Sequence, residues 1–133
     1  MPAIRALIWR VHINPTGLDW RRFTVAVDEG GGLVGCGQIK LHPVGIFELA
    51  SIAVQPTWQG QGIGSALIES LLQSSPSPIY LTCRRELEGF YQQFGFQTTP
   101  PALMPPYFRR LWMLTSLLGH LLPGGNWLRV MHR

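Results

Sequence analysis

"QPTWQGQGIGSALIESLL", residues 55–72, sets three glycines in alternation, Gly60, Gly62 and Gly64, directly before an apolar run. Glycine loses more backbone freedom on folding than any other residue. Such density implies that the chain comes close to something, or bends where a side chain could not follow. Ile63, Leu67 and Leu71, with Ile68 and Leu72, recur at helical intervals and predict a helix over 62–73. The first turn of a helix presents unpaired N–H groups and a partial positive charge. The loop therefore reads as an anion cradle, with a pyrophosphate the best fit. Two other glycine loops fit poorly. A nucleotide P-loop needs a lysine after its last glycine, and none follows here. A dinucleotide turn needs GxGxxG after the first strand of a βαβ unit, whereas this spacing is GxGxG after several strands.

Residues 23–29, 33–41 and 46–54 read as strands joined by short turns, which predicts an antiparallel meander. A further strand is expected at 3–11, and at most one or two helical turns in "GLDWRRF". After the glycine loop and its helix, "IYLTCR" (79–84) reads as a buried strand, making a strand–helix–strand crossover of the right-handed parallel kind. A helix over 85–94 stopped by Gly95, a strand beginning at "GFQTT", an apolar helix over 107–122 and a closing strand over 127–133 complete the order. The fold class is α/β with a mixed, mostly antiparallel sheet.

At 133 residues, 46% hydrophobic and 14% charged, the chain reads as a single domain with a real core. Cys36 and Cys83 lie far apart and join no ligand cluster, which favours a reduced cytoplasmic protein without metal. Residues 1–88 carry seven Lys/Arg and seven Asp/Glu, while 89–133 carry four arginines and no acid. Four scattered arginines are a thin footprint for nucleic acid, so none is expected as a partner. The apolar segment 111–122 is too short to cross a bilayer that needs about 20 residues. Packing on the sheet or on a second subunit, as in a homodimer, is the expected use.

"QGQGIG" (59–64) matches the [QR]-x-x-G-x-[GA] signature of the GNAT superfamily of N-acetyltransferases. "LASIAVQP" (49–56) resembles the family's fourth strand, and "FYQQFGF" (90–96) its aromatic-Tyr-x-x-x-Gly-Phe segment. The resemblance covers residues 23–98, and more narrowly it is to small plant and cyanobacterial members. It implies the GNAT fold, with the strands at 46–54 and 79–84 splayed so that pantetheine lies in the gap. It further implies that acetyl-CoA is the acetyl donor and that a primary amine is acetylated by direct transfer in a ternary complex. The main chain at Ile52, Ala53 and Val54 would pair with pantetheine, a form of strand addition. Gln59, Gly60, Gln61, Gly62, Ile63, Gly64 and Ser65 would seat the pyrophosphate. Tyr91 matches the tyrosine that protonates the leaving thiolate, with packing in the aromatic cluster as its other reading. Glu48 is the candidate base; alternation puts it on the face of Ala50 and Ile52 unless a bulge intervenes, and its other reading is a solvent-facing strand end. The oxyanion donor would be a backbone N–H near Ile52.

Two departures from the family pattern stand out. Arg84 occupies the place of an asparagine that contacts pantetheine in many members, so Arg84 or Arg85 is expected to meet a CoA phosphate or a substrate carboxylate instead. The helices that wall the acceptor site are shrunk to "GLDWRRF", and the segment 100–126, inserted before the last strand, is expected to replace that wall. Arg109 and Arg110 in it favour an acceptor with apolar and anionic parts. Cys83 reads as a buried thiol, not a nucleophile. The rival reading from another class is a catalytically silent CoA-binding sensor or interaction module that keeps the cradle without a competent acid.

Overall fold

The structure, a computed structural model, describes residues 2–4, 7 and 22–133. They fall into two compact units, Met1–Pro76 and Ser77–Arg133. In the first, β1 (Phe23–Val27), β2 (Leu33–His42) and β3 (Ile46–Val54) form the expected antiparallel meander, followed by helix α1 (Ile63–Gln73). The β1–β2 turn closes because Asp28 is bonded on both sides. Its backbone N–H donates to the Gly32 carbonyl at 2.9 Å, and its Oδ1 accepts from the Gly32 N–H at 2.8 Å.

Helix α1 lies close on β2 because β2 carries no side chains there. A Cβ at Gly35 would sit 3.0 Å from Leu67 Cδ1, and one at Gly37 would sit 2.8 Å from Leu71 Cδ1. Leu67, Ile68 and Leu71 are buried as a result, each contributing about 1.5–3 kcal/mol. The opposite face of this sheet is covered by Ile4 and Leu7, which cluster with Cys36 and Ala53. Residues 2–4 and Leu7 are helical where a strand was expected over 3–11; the rest of that stretch lies outside the described residues. The three-residue spacing of Ile4 and Leu7 puts both on one helical face, and that outweighs the strand-like composition. The short helix expected in "GLDWRRF" falls almost wholly outside the described residues.

In the second unit, β4 (Ile79–Arg84) and β5 (Gln97–Thr98) both pair antiparallel with β6 (Leu128–His132). Between β4 and β5 the expected helix is a tight 3-10 turn, Arg85–Leu87, and then the short α2 (Glu88–Gln92). Helix α3 (Pro106–Leu121) seats Phe108 fully buried, its ring stacked on Tyr80 of β4 at 5.4 Å. Gly119 permits the close approach of α3 to the following turn, since a Cβ there would lie 2.6 Å from the Gly125 carbonyl carbon. The inward side of α3 carries Phe108 and Gly119, and Leu111 and Trp112 are half-buried. Met113, Leu114, Leu117, Leu118 and Leu121 of α3, and Leu122 just after it, are exposed.

Candidate functional site

In the first unit, the glycine loop leads into an uncapped helix. Gly60 and Gly62 have φ of +79° and +82°, the left-handed region that glycine enters without steric cost. Gly62 is the N-cap residue of α1 and offers no side-chain cap, and no acidic residue stands in the first turn. The N–H groups of residues 62–65 are therefore the orphan donors of this helix. A Cβ built at Gly60 or Gly62 meets nothing within 4 Å, so the space over the donors is open. An uncapped helix start of this kind, with its partial positive charge, is suited to a phosphate group. Gln59 is turned the other way: its side-chain amide donates to the Val54 carbonyl at 3.1 Å, tying the loop to the end of β3.

The middle of β3 departs from regular pairing. Gln38 faces Ala50 while Cys36 faces Ala53, so Ser51 and Ile52 together oppose the single residue Gly37. This is a β-bulge, and Ser51 takes φ of +59° within it. A non-glycine residue in that region costs about 1–2 kcal/mol. The strand is held there by two side chains of β2. Gln38 Nε2 donates to Ser51 Oγ at 2.8 Å, and the Cys36 thiol donates to the Ser51 carbonyl at 3.7 Å.

The bulge corrects the expected parity. Ile52 lies with Gly37 and Leu71 on the face toward α1. Glu48 pairs with Lys40, and Ala50 with Gln38, on the opposite face, which Ser51 and Ala53 rejoin beyond the bulge. Glu48 thus shares a face with Ala50 and not with Ile52. Neither is it a solvent-facing strand end: it is buried, and its Oε1 lies 2.7 Å from His42 Nε2. Sequence reading passed over His42. The signal was the hairpin itself, because the turn at 43–45 sets residue 42 against 46 and makes 42 and 48 diagonal neighbours on one face.

In the second unit, Tyr91 is on α2 with its ring edge-on to Phe90 at 5.1 Å and to Phe96 at 6.1 Å. Burial, with a smaller contribution from Cys83, pushes its hydroxyl pKa up to about 12. Cys83 is itself pushed up to about 11, by burial first and then by Glu88. Its thiol donates to Met131 Sδ at 3.9 Å, as expected of an inert buried thiol. Of the two arginines considered for the donor, Arg85 is engaged within its own unit. Its Nη1 donates to the Gly124 carbonyl at 2.6 Å and its Nε lies 3.3 Å from Glu86. Arg84 is exposed at the end of β4. Arg109 donates to the Pro101 and Ala102 carbonyls and so braces the segment before α3. Among the described residues, no group of three His, Cys, Asp or Glu could hold a metal ion, and no helix is long and apolar enough to cross a membrane.

A glycine loop at a helix start after an antiparallel meander, with a half-buried tyrosine on the helix after the next strand, is the arrangement this α/β chain presents. The family model described as "Acetyltransferase (GNAT) domain" matches residues 19–98, and the chain belongs to that family. Over 56 residues it is 38% identical to GCN5-related N-acetyltransferase 2, chloroplastic, of Arabidopsis thaliana; the match covers 39% of this chain and 22% of that protein. Among solved structures, Rv2747 from Mycobacterium tuberculosis, in complex with CoA, superposes with a TM-score of 0.73 at 22% identity, covering 98% of this chain and 91% of that one. N-acetylglutamate synthase from Neisseria gonorrhoeae, complexed with coenzyme A and N-acetyl-glutamate, gives a TM-score of 0.69 at 21% identity. It covers 100% of this chain and 32% of the synthase. The fold is thus the mixed α/β GNAT fold.

Proposed function

We propose that the protein is an acetyl-CoA-dependent N-acetyltransferase, acting on a primary amine by direct transfer in a ternary complex. The observation that carries this reading is the uncapped start of α1, open above Gly60 and Gly62. In this reading the N–H groups of residues 62–65 hold the pyrophosphate, and the main chain from Ile52 to Val54 pairs with the pantetheine amides. The neutral amine attacks the thioester carbonyl, a backbone N–H at the bulge stabilises the oxyanion, and the C–S bond breaks. Glu48, with His42 beside it, takes the proton that the amine nitrogen loses. Tyr91 returns a proton to the departing thiolate. A hydroxyl with a pKa near 12 is a weak acid, yet desolvation raises thiols as well, as Cys83 shows in the same neighbourhood. The protein names of two relatives, which include "N-acetyltransferase" and a synthase bound to N-acetyl-glutamate, support the reaction type. The test is release of free CoA thiol from acetyl-CoA across a panel of amines, amino acids and peptides. Thiol release that needs one amine class supports the reading; tight acetyl-CoA binding with no acceptor-dependent release favours the silent sensor.

The exposed stripe of α3 supports the homodimer reading. Six apolar residues at 39–77% exposure lie along one stripe, the kind of contiguous apolar surface that a second subunit would cover. Arg110 is the one charge on this stripe, at its start. Antiparallel pairing about Leu117 places the two copies of Arg110 at opposite ends, where nothing repels.

A further inference from the structure

We propose that Gln38 is a positioning residue for the acetyl donor: through Ser51 it latches the β3 bulge in the shape that donor binding needs. The inference rests on the reading that the main chain at residues 52–54 receives pantetheine. Gln38 is fully buried, and its side-chain Oε1 has no hydrogen-bond partner among the described residues. A buried acceptor left unpaired is a cost that an apolar residue of the same length would avoid. What the residue gains in exchange is its other end, the 2.8 Å bond from Nε2 to Ser51 Oγ. That bond, with the Cys36 thiol on the Ser51 carbonyl, is made to the one β3 residue in a left-handed conformation. Without it, a serine would favour ordinary extended backbone, and Ser51 and Ile52 would slide back toward one-to-one pairing with β2. A one-residue slip reverses faces, so Ile52 would leave α1 and the peptide groups of 52–54 would point elsewhere. The latch trades stability for a pre-formed donor strand.

Stability and function should therefore move apart. Gln38→Met keeps length and removes both polar atoms. The unpaired Oε1 is removed while Ser51 Oγ loses its donor, so the melting temperature should stay close to wild type, with acetyl-CoA affinity weakened about tenfold. Gln38→Met combined with Ser51→Gly should recover most of that affinity, because glycine enters the left-handed region unaided. Should Gln38→Met fail to fold, Ser51→Ala provides the same test, since it removes the hydroxyl while keeping the Cβ. It should lose affinity like Gln38→Met, and Ser51→Gly should not. Calorimetric titration with acetyl-CoA and thermal melts read all four variants. Unchanged affinity in Gln38→Met or Ser51→Ala overturns the latch, as does failure of glycine at 51 to restore binding. A wild-type protein that does not bind acetyl-CoA instead overturns the functional reading on which it rests.

Discussion

Burial beside Phe90 and Phe96 pushes the Tyr91 hydroxyl up to about 12, so it stays protonated in mild alkali, where a free tyrosine begins to ionise. It can donate to a thiolate, and it is not lost as an acid in mild alkali. Replacing Tyr91 with Phe is expected to lower turnover by about 10²–10⁴-fold while leaving acetyl-CoA affinity nearly intact, read by steady-state kinetics beside calorimetric titration. Wild-type turnover should show no descending limb from this group up to about pH 10. The same burial links the fold to pH. Cys36, Cys83 and Tyr91 have pKa values raised from 9.0, 9.0 and 10.0 to about 11, 11 and 12. Each is raised on folding, so its contribution is fully present below the unfolded value and is lost as pH rises through the folded one. Thermal melts should hold level to about pH 9 and then fall steadily toward pH 12. Tyr91→Phe should flatten the upper part of that fall.

The elements show which features were legible in sequence and which were not. The boundaries of β3, β4 and α1 follow from alternation, from the 79–84 apolar run and from glycine punctuation, and the structure places them at or within one residue of expectation. The helix start after the glycine loop was legible because glycines mark where backbone takes a left-handed turn, as Gly60 and Gly62 do. The bulge was not, because no residue type marks it. Ser51 carries no glycine signal, and its left-handed φ depends on Gln38 reaching across from another strand. The pairing of His42 with Glu48 was hidden for the same reason, being a matter of hairpin register and not of motif. Two glycines then give opposite expectations. At Gly62, Ala should cost about 1 kcal/mol through its φ of +82° and leave the cradle open, whereas Glu should abolish acetyl-CoA binding by filling the space with like charge. At Gly119, Val should cost about 1–3 kcal/mol or more, because its Cβ would meet the Gly125 backbone and α3 would have to lift. Chemical denaturation of each variant measures both costs.

At the scale of the whole chain, the outward leucines of α3 should make association depend on concentration. Light scattering after size exclusion is expected to show a dimer at tens of micromolar, and Leu117→Glu a monomer with unchanged secondary structure. Donor binding is proposed to be a separate property, because the proposed donor site is the glycine loop and β3 of the first unit. Calorimetric titration of acetyl-CoA into the wild-type protein beside Gly62→Glu asks whether this loop seats the donor. Wild type should bind saturably at one site per chain, and a folded Gly62→Glu should not bind. Ligand at 100 times its Kd should also stabilise the wild type by about 2.7 kcal/mol. No binding by wild type at millimolar acetyl-CoA, or equal binding by Gly62→Glu, would contradict a donor seat at this loop.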